Sequence, residues 1–275
     1  MTDDQRALQQ RIRAELGLTD SFDARQEIER RVTFLSDYLQ RTGTRSLVLG
    51  ISGGVDSLAA GCLAQRAVEQ ARSQGHQAEF FAVRLPYGEQ ADEADAQGGL
   101  AVIKPDHTLV VNVKPATDAM LDQLLASGLT FRDAAHQDFL VGNIKARQRM
   151  IAQYAIAGAR SGLVVGTDHA AEALMGFFTK FGDGAADITP LAGLNKRRVR
   201  ALASAMGAPD PLVYKVPTAD LETLTPLKPD EDAFGVSYDQ IDDFLEGKAI
   251  DEDAVQTILR TYHASAHKRA LPVAP

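Results

Sequence analysis

The sequence predicts an α/β protein built on a doubly wound parallel sheet flanked by helices. Three observations carry that prediction. Strand-like and helix-like segments alternate through the first two thirds of the chain. The first apolar strand, SLVLGI at 46–51, runs directly into a glycine turn, SGGVDS, before a helical pattern begins. Ahead of it, Ile28, Val32, Leu35 and Leu39 recur at helical spacing. Phe34 and Tyr38 widen that stripe while Gln26, Arg30, Thr33 and Asp37 fall opposite, which predicts an amphipathic helix over about 22–42.

The remaining elements follow in order. A helix is expected from about Ser57 to Gln74, then strands EFFAVRL at 79–85 and TLVVNV at 108–113. A long helix over about Asp138 to Ala159 stops at Ser161 and Gly162, and the strand LVVG at 163–166 follows. Five prolines between Pro209 and Pro229 exclude a continuous helix there and predict a loop-rich excursion. Two closing helices, YDQIDDFLEG and DEDAVQTILRTYHASAHKR, occupy about 237–269. With no repeat and no low-complexity run, residues 1–275 are expected to form one domain.

Composition narrows the function. A chain of 275 residues with 45% hydrophobic content can bury a substantial core. A net charge of −8 opposes a surface that grips nucleic acid, so the expected partner is a small molecule. The single Cys62 makes no internal disulfide and falls in an apolar helix pattern, as a buried small side chain would. The N-terminus lacks a secretory pattern and no window approaches the ~20 apolar residues of a membrane span, so a cytoplasmic protein is expected.

In an open α/β sheet ligands collect beyond the carboxyl ends of the strands, where SGGVDS stands. Gly53 and Gly54 permit a tight turn and close backbone approach, and the following helix start offers unpaired N–H groups and a positive dipole end. That combination suits phosphate. The spacing of a Walker P-loop and the GxGxxG of a dinucleotide turn are both absent.

The segment resembles the signature SGGxDS of the pyrophosphate-loop ATPases, with Val55 in the variable place. The resemblance implies a Rossmann-like sheet of the adenine nucleotide α-hydrolase type and cleavage of ATP between its α and β phosphates, giving AMP. Four more stretches narrow it: AVRLPYGEQADEADA at 82–96, GNIKARQRMIAQY at 142–154, VVGTDHAAEALMGFFTKFGDGAADITPL at 164–191 and HKR at 267–269. Together they are similar to ammonia-dependent NAD synthetase, from the amphipathic helix to HKR.

The reaction implied joins deamido-NAD, ATP and ammonia to give NAD, AMP and pyrophosphate. By residue-by-residue match, Gly50, Ile51, Ser52, Gly53, Gly54, Val55, Asp56, Ser57, Arg84, Gln90, Thr167, Lys196 and Thr218 would contact ATP. Arg147, Lys180, Asp187, His267 and Lys268 would contact deamido-NAD. Asp56 and Glu172 would hold Mg²⁺, which favours one or two carboxylates with phosphate oxygens. Asp183 is assigned to capture and deprotonate ammonium, with Asp56 and Lys196 as its catalytic companions. His169 is read as structural, since no second histidine lies at metal-ligand spacing; Phe177 and Phe178 suit either nicotinate stacking or core packing. The family implies a homodimer with the deamido-NAD site at the interface, the helix at 22–42 and the helix around Arg147 packing across the two-fold axis. The 49 residues ahead of Gly50 leave no room for a glutaminase domain, so ammonia itself is the expected nitrogen donor.

Rival readings are a tRNA-thiolating enzyme, a GMP synthetase-like amidating enzyme and a non-catalytic nucleotide-binding protein. The first needs a cysteine pair and a basic RNA surface, neither of which this sequence offers.

Overall fold

The computed structural model describes residues 1–88, 93–219, 221–272 and 274. Helices α1 (Asp3–Glu15) and α2 (Ala24–Thr42) lead into strand β1 (Ser46–Gly50). Helix α3 (Val55–Ser73), strand β2 (Glu79–Arg84), helix α4 (Glu93–Ile103) and strand β3 (His107–Val110) follow. Helices α5 (Lys114–Ala126) and α6 (Ala134–Ala159) precede strand β4 (Gly162–Val164), then helices α7 (Ala170–Met175), α8 (Lys196–Ala205) and α9 (Asp210–Val213). The short strands β5 (Thr218–Ala219) and β6 (Lys228–Pro229) form an antiparallel pair. Helices α10 (Asp230–Phe234), α11 (Tyr238–Leu245), α12 (Glu252–Ala264) and α13 (Ala266–Arg269) end the chain.

The main sheet runs β3-β2-β1-β4 with every neighbour parallel. Strand periodicity divides its side chains between two layers. Leu47, Leu49, Phe80 and Ala82 face the cluster built with α2, α3 and α8. Val48, Phe81, Val83 and Val164 face the opposite cluster, which includes Ala157 of α6. Helices on both faces give the doubly wound arrangement. A further core joins Ile12 of α1 to Leu174 of α7, Ile241 and Phe244 of α11 and Ile258 of α12.

Several boundaries differ from the sequence expectation for local reasons. Helix α3 starts at Val55, so Asp56 and Ser57 both lie in its first turn. Helix α6 starts at Ala134 because Asp133 caps it, accepting from the His136 amide at 2.7 Å. Strand β3 stops at Val110, where the partner segment reaches Pro86, which has no N–H to donate; the Val111 and Val113 amides still donate to the Arg84 and Pro86 carbonyls. The last helix breaks at Ser265, the C-cap of α12. Helix α1 was not anticipated: its buried residues are only Gln9 and Ile12, and its signal is the reciprocal Thr2–Gln5 capping box.

Of the apolar stripe of α2, expected to cross a two-fold axis, Ile28, Val32, Leu35 and Leu39 are buried by the chain itself, while Phe34 at its edge is exposed. Leu35 and Leu39 are fully enclosed in the core shared with α3 and α8. Large apolar side chains remain exposed at Met120 and Leu125 on α5 and at Phe139 and Ile151 on α6. Among the described residues, no helix is long and apolar enough to cross a membrane.

Candidate active site

The carboxyl ends of β1 and β4 open on a cavity of about 420 Å³. Its floor is the turn after β1. Gly53 adopts φ +93°, a conformation that favours glycine, and Gly54 is the N-cap of α3. Two serines knit the turn: the Gly54 amide donates to Ser52 Oγ at 3.2 Å, and Ser57 Oγ donates to the Gly54 carbonyl at 3.0 Å. The Gly50 amide donates to Gln153 Oε1 of α6 at 2.8 Å, fixing the end of β1 against the opposite wall.

Two other segments bring charge to this turn. Lys196, the first residue of α8, donates from Nζ to Asp56 Oδ2 at 2.7 Å. The start of α8 is itself anchored, because the Lys196 and Arg197 amides donate to the two Asp242 carboxylate oxygens at 3.0 and 2.7 Å. His169 caps α7, its Nδ1 accepting from the Glu172 amide at 3.4 Å. That acceptor role puts the ring proton on Nε2, which lies 3.4 Å from Asp56 Oδ1 and 3.6 Å from Glu172 Oε1. His169, read from the sequence as structural because no second histidine lies at metal-ligand spacing, is buried between the two carboxylates and stands inside the site.

The electrostatics follow from burial and partners. Burial pushes the Asp56 carboxyl upward, but the Lys196 ammonium and His169 outweigh it and hold it well below the usual range. Glu172 moves the other way, raised by burial and by the Asp56 charge. Asp168 is pushed up to about 7 by burial and by repulsion from Asp183 and Asp56. Asp183 is exposed and lines the cavity; desolvation by the surrounding chain raises its pKa, opposed by the Thr179 amide, which donates to Oδ1 at 2.9 Å.

One ligand atom each from Asp56, His169 and Glu172 falls within 4.8 Å of the others. Asp56 Oδ1 is buried and accepts no hydrogen bond. Two carboxylates with an unsatisfied oxygen fit a hard divalent cation, and His169 Nε2, also buried and without a hydrogen bond, faces both of them from 3.4 and 3.6 Å.

Of the residues matched to ATP, Gly50, Ile51, Ser52, Gly54, Val55, Asp56, Ser57, Thr167, Lys196 and Thr218 line the cavity. Arg84 lies at the end of β2, buried, with Nη2 donating to Glu93 Oε2 at 2.6 Å. Gln90 lies outside the described residues. Of those matched to deamido-NAD, Lys268 lines the cavity and donates to the Gly176 and Phe178 carbonyls, each at 2.9 Å. Arg147, Lys180 and His267 form a separate chain of contacts, Arg147 Nη2 to the Lys180 carbonyl at 3.1 Å and Lys180 Nζ to the His267 carbonyl at 2.5 Å. Asp187 is exposed and accepts from the Val164 amide at 2.7 Å. Phe177 and Phe178 both line the cavity, and Phe177 also packs on Phe234 at 4.6 Å between ring centroids.

The sequence reading passed over Arg149, Gln153, Asp168 and Asp230. Asn143, Ala146, Arg149 and Gln153 all line the cavity from α6. Their three- and four-residue spacing in GNIKARQRMIAQY marks one helix face, and Arg147 falls on another. That periodicity was available to find them.

A parallel sheet whose first strand ends in this glycine turn, over a cavity bearing lysine and paired carboxylates, defines a Rossmann-like α/β protein with a site suited to an anionic ligand. The family profile described as NAD synthase matches residues 27–272. The chain belongs to the NAD synthase family. It is 65% identical to the NH(3)-dependent NAD(+) synthetase of Streptomyces coelicolor over 269 residues, covering 98% of each chain. The crystal structure of NAD+ synthetase from Burkholderia pseudomallei superposes with a TM-score of 0.86 at 61% identity, covering 99% of each chain. That of NMN synthetase from Francisella tularensis superposes with a TM-score of 0.81 at 34% identity, covering 93% of this chain and 99% of the other.

Proposed function

We propose that this chain is an ammonia-dependent NAD synthetase, a ligase that forms the carboxamide of NAD from deamido-NAD, ATP and ammonia. The observation that supports it most is the meeting of Asp56, Glu172, Lys196 and Asp183 around one cavity in a member of the NAD synthase family. A carboxylate resists ammonia because its oxygen is a poor leaving group. The nicotinate carboxylate oxygen therefore attacks the ATP α-phosphorus, the α–β bridging bond breaks, and pyrophosphate departs. Negative charge grows on that leaving group, where the turn amides, the α3 dipole and the Lys196 ammonium provide donors.

Asp56 and Glu172 would hold magnesium, which when bound neutralises charge on phosphate oxygens. Lys196 leaves its pairing with Asp56 for phosphate as the nucleotide enters. In the second step ammonium gives a proton to Asp183, whose pKa, raised by desolvation, makes it a stronger base than an ordinary aspartate. Ammonia then attacks the acyl carbon of the adenylate, the nitrogen sheds its extra proton to solvent, the carbon–oxygen bond to AMP breaks, and the amide remains.

A homodimer belongs to the same proposal. The exposed Phe139 and Ile151 lie on α6 on either side of Arg147, and Arg147, Lys180, Asp187 and His267 lie away from the enclosed cavity. A second copy seated on α6 would complete a binding surface there, and a cytoplasmic location suits substrates of this kind.

The deciding assay supplies purified protein with deamido-NAD, Mg-ATP and ammonium and follows NAD, AMP and ADP together. Equal amounts of NAD and AMP are expected; AMP without NAD, or ADP in place of AMP, overturns the reading. Glutamine in place of ammonium is expected to give no NAD. The corresponding mononucleotide in place of deamido-NAD tests the second reading, suggested by the likeness to NMN synthetase.

A further inference from the structure

Asp230 is nine-tenths buried, lines the cavity, and carries one oxygen, Oδ1, that accepts no hydrogen bond. Its other oxygen accepts from the Tyr238 hydroxyl at 3.0 Å. Tyr238, 2% exposed, turns its ring face toward the Lys196 ammonium, which lies 4.9 Å from the ring centroid. Asp230 also closes the β5–β6 pair: its amide donates to the Pro217 carbonyl at 3.1 Å, one residue before Thr218. A continuous path thus runs from the hairpin over the cavity, through Asp230 and Tyr238, to the lysine on Asp56.

Lys196 is almost wholly buried and must exchange a carboxylate for a phosphate without losing its charge balance. An aromatic face on one side and a second carboxylate nearby meet that need, since both stabilise a desolvated ammonium independently of Asp56. From this geometry we infer that Asp230 and Tyr238 act as a pair of positioning residues that hold Lys196 for the ATP phosphates and couple its placement to the hairpin carrying Thr218. The inference rests on the reading of Lys196 as a phosphate ligand.

The test is equilibrium binding of α,β-methylene ATP with Mg²⁺ to the full chain and to Asp230→Asn, Tyr238→Phe and the double variant. Lys196→Met serves as a control, and steady-state kinetics accompany each variant. Each single variant is expected to weaken binding by about 5–20-fold, and the double variant by little more than the weaker single one, because the two side chains act as one hydrogen-bonded unit. The KM for ATP is expected to rise while the KM for ammonium stays put, and Asp230→Glu is expected to recover part of the loss. Unchanged binding in both single variants, or fully additive losses, overturns the pairing. A loss spread equally over all three substrates with a lower Tm shows a merely structural role and overturns it as well. If Lys196→Met binds the analogue normally, the phosphate reading of Lys196 fails; if Lys196→Met loses binding while Asp230→Asn keeps it, only the positioning inference fails.

Discussion

Asp168 and Asp56 belong to one buried acidic cluster yet shift in opposite directions, and each shift has a stability consequence. The Asp168 carboxyl, held up to about 7, binds a proton in the folded chain across a window where the unfolded chain has lost it. Its contribution to stability therefore falls as pH rises from about 4 toward 7. Asp168→Asn is expected to gain about 1–2 kcal/mol at pH 8, with the gain vanishing near pH 4, as thermal melts at the two values would show. Asp56 behaves conversely: its low folded pKa contributes stability above the ordinary aspartate value, lost as pH falls below that value through the folded one. Lys196→Met removes the partner at 2.7 Å and leaves that charge buried. It is expected to cost about 3–5 kcal/mol in chemical denaturation at pH 7 and to abolish AMP formation. Asp183→Asn is expected to lower turnover with saturating ammonium by about 100-fold or more, the loss shrinking as pH rises and free ammonia increases. A turnover unchanged at every pH would remove Asp183 from the base role.

Segment 221–225 shows how one element controls another. Lys145 of α6 donates to the Leu221 carbonyl at 2.7 Å and to Thr223 Oγ1 at 3.0 Å. About two turns earlier on the same face, Asp138 accepts from the Thr223 and Leu224 amides at 2.9 and 2.7 Å. Leu221, Glu222 and Thr225 line the cavity, so α6 holds one wall of it by two charged clasps. Asp138→Ala is expected to expose residues 216–228 to limited proteolysis several-fold faster, with ATP slowing cleavage, while the Tm changes little. The proline-rich sequence forecast irregular chain here but not its clasps, because hydrogen bonds to side chains 76–86 residues away leave no local pattern. Legibility followed range elsewhere too. The strand–turn–helix at SGGVDS was readable because glycine spacing and strand alternation act within a few residues. The join of Asp56 to Lys196 was suggested only by family likeness, since no periodicity links positions 140 residues apart. The α2 stripe was read correctly as a buried face, but periodicity does not say which surface buries it, and the chain's own α3 and α8 do so.

At the scale of the molecule, the exposed apolar side chains on α5 and α6 provide the surface that a second copy would cover. Ile151→Glu, on a helix stable by its other contacts, is expected to shift sedimentation toward monomer and to raise the KM for deamido-NAD more than that for ATP. A stable, fully active monomer in the parent protein would remove the dimer from the proposal. The sheet order itself has a temporal consequence. Ser46 of β1 pairs on one side with Glu79 and on the other with Gly162, and the cavity between those strands is then finished by Lys196, Asp230 and Lys268. As the chain leaves a ribosome, its nucleotide turn emerges early but waits for most of the remaining sequence before its counter-charges arrive. Distant pairing of this sort is slow. The cavity is therefore incomplete until most of the chain has been made, and on refolding from denaturant nucleotide affinity is expected to return with the slowest phase, well after the helical signal.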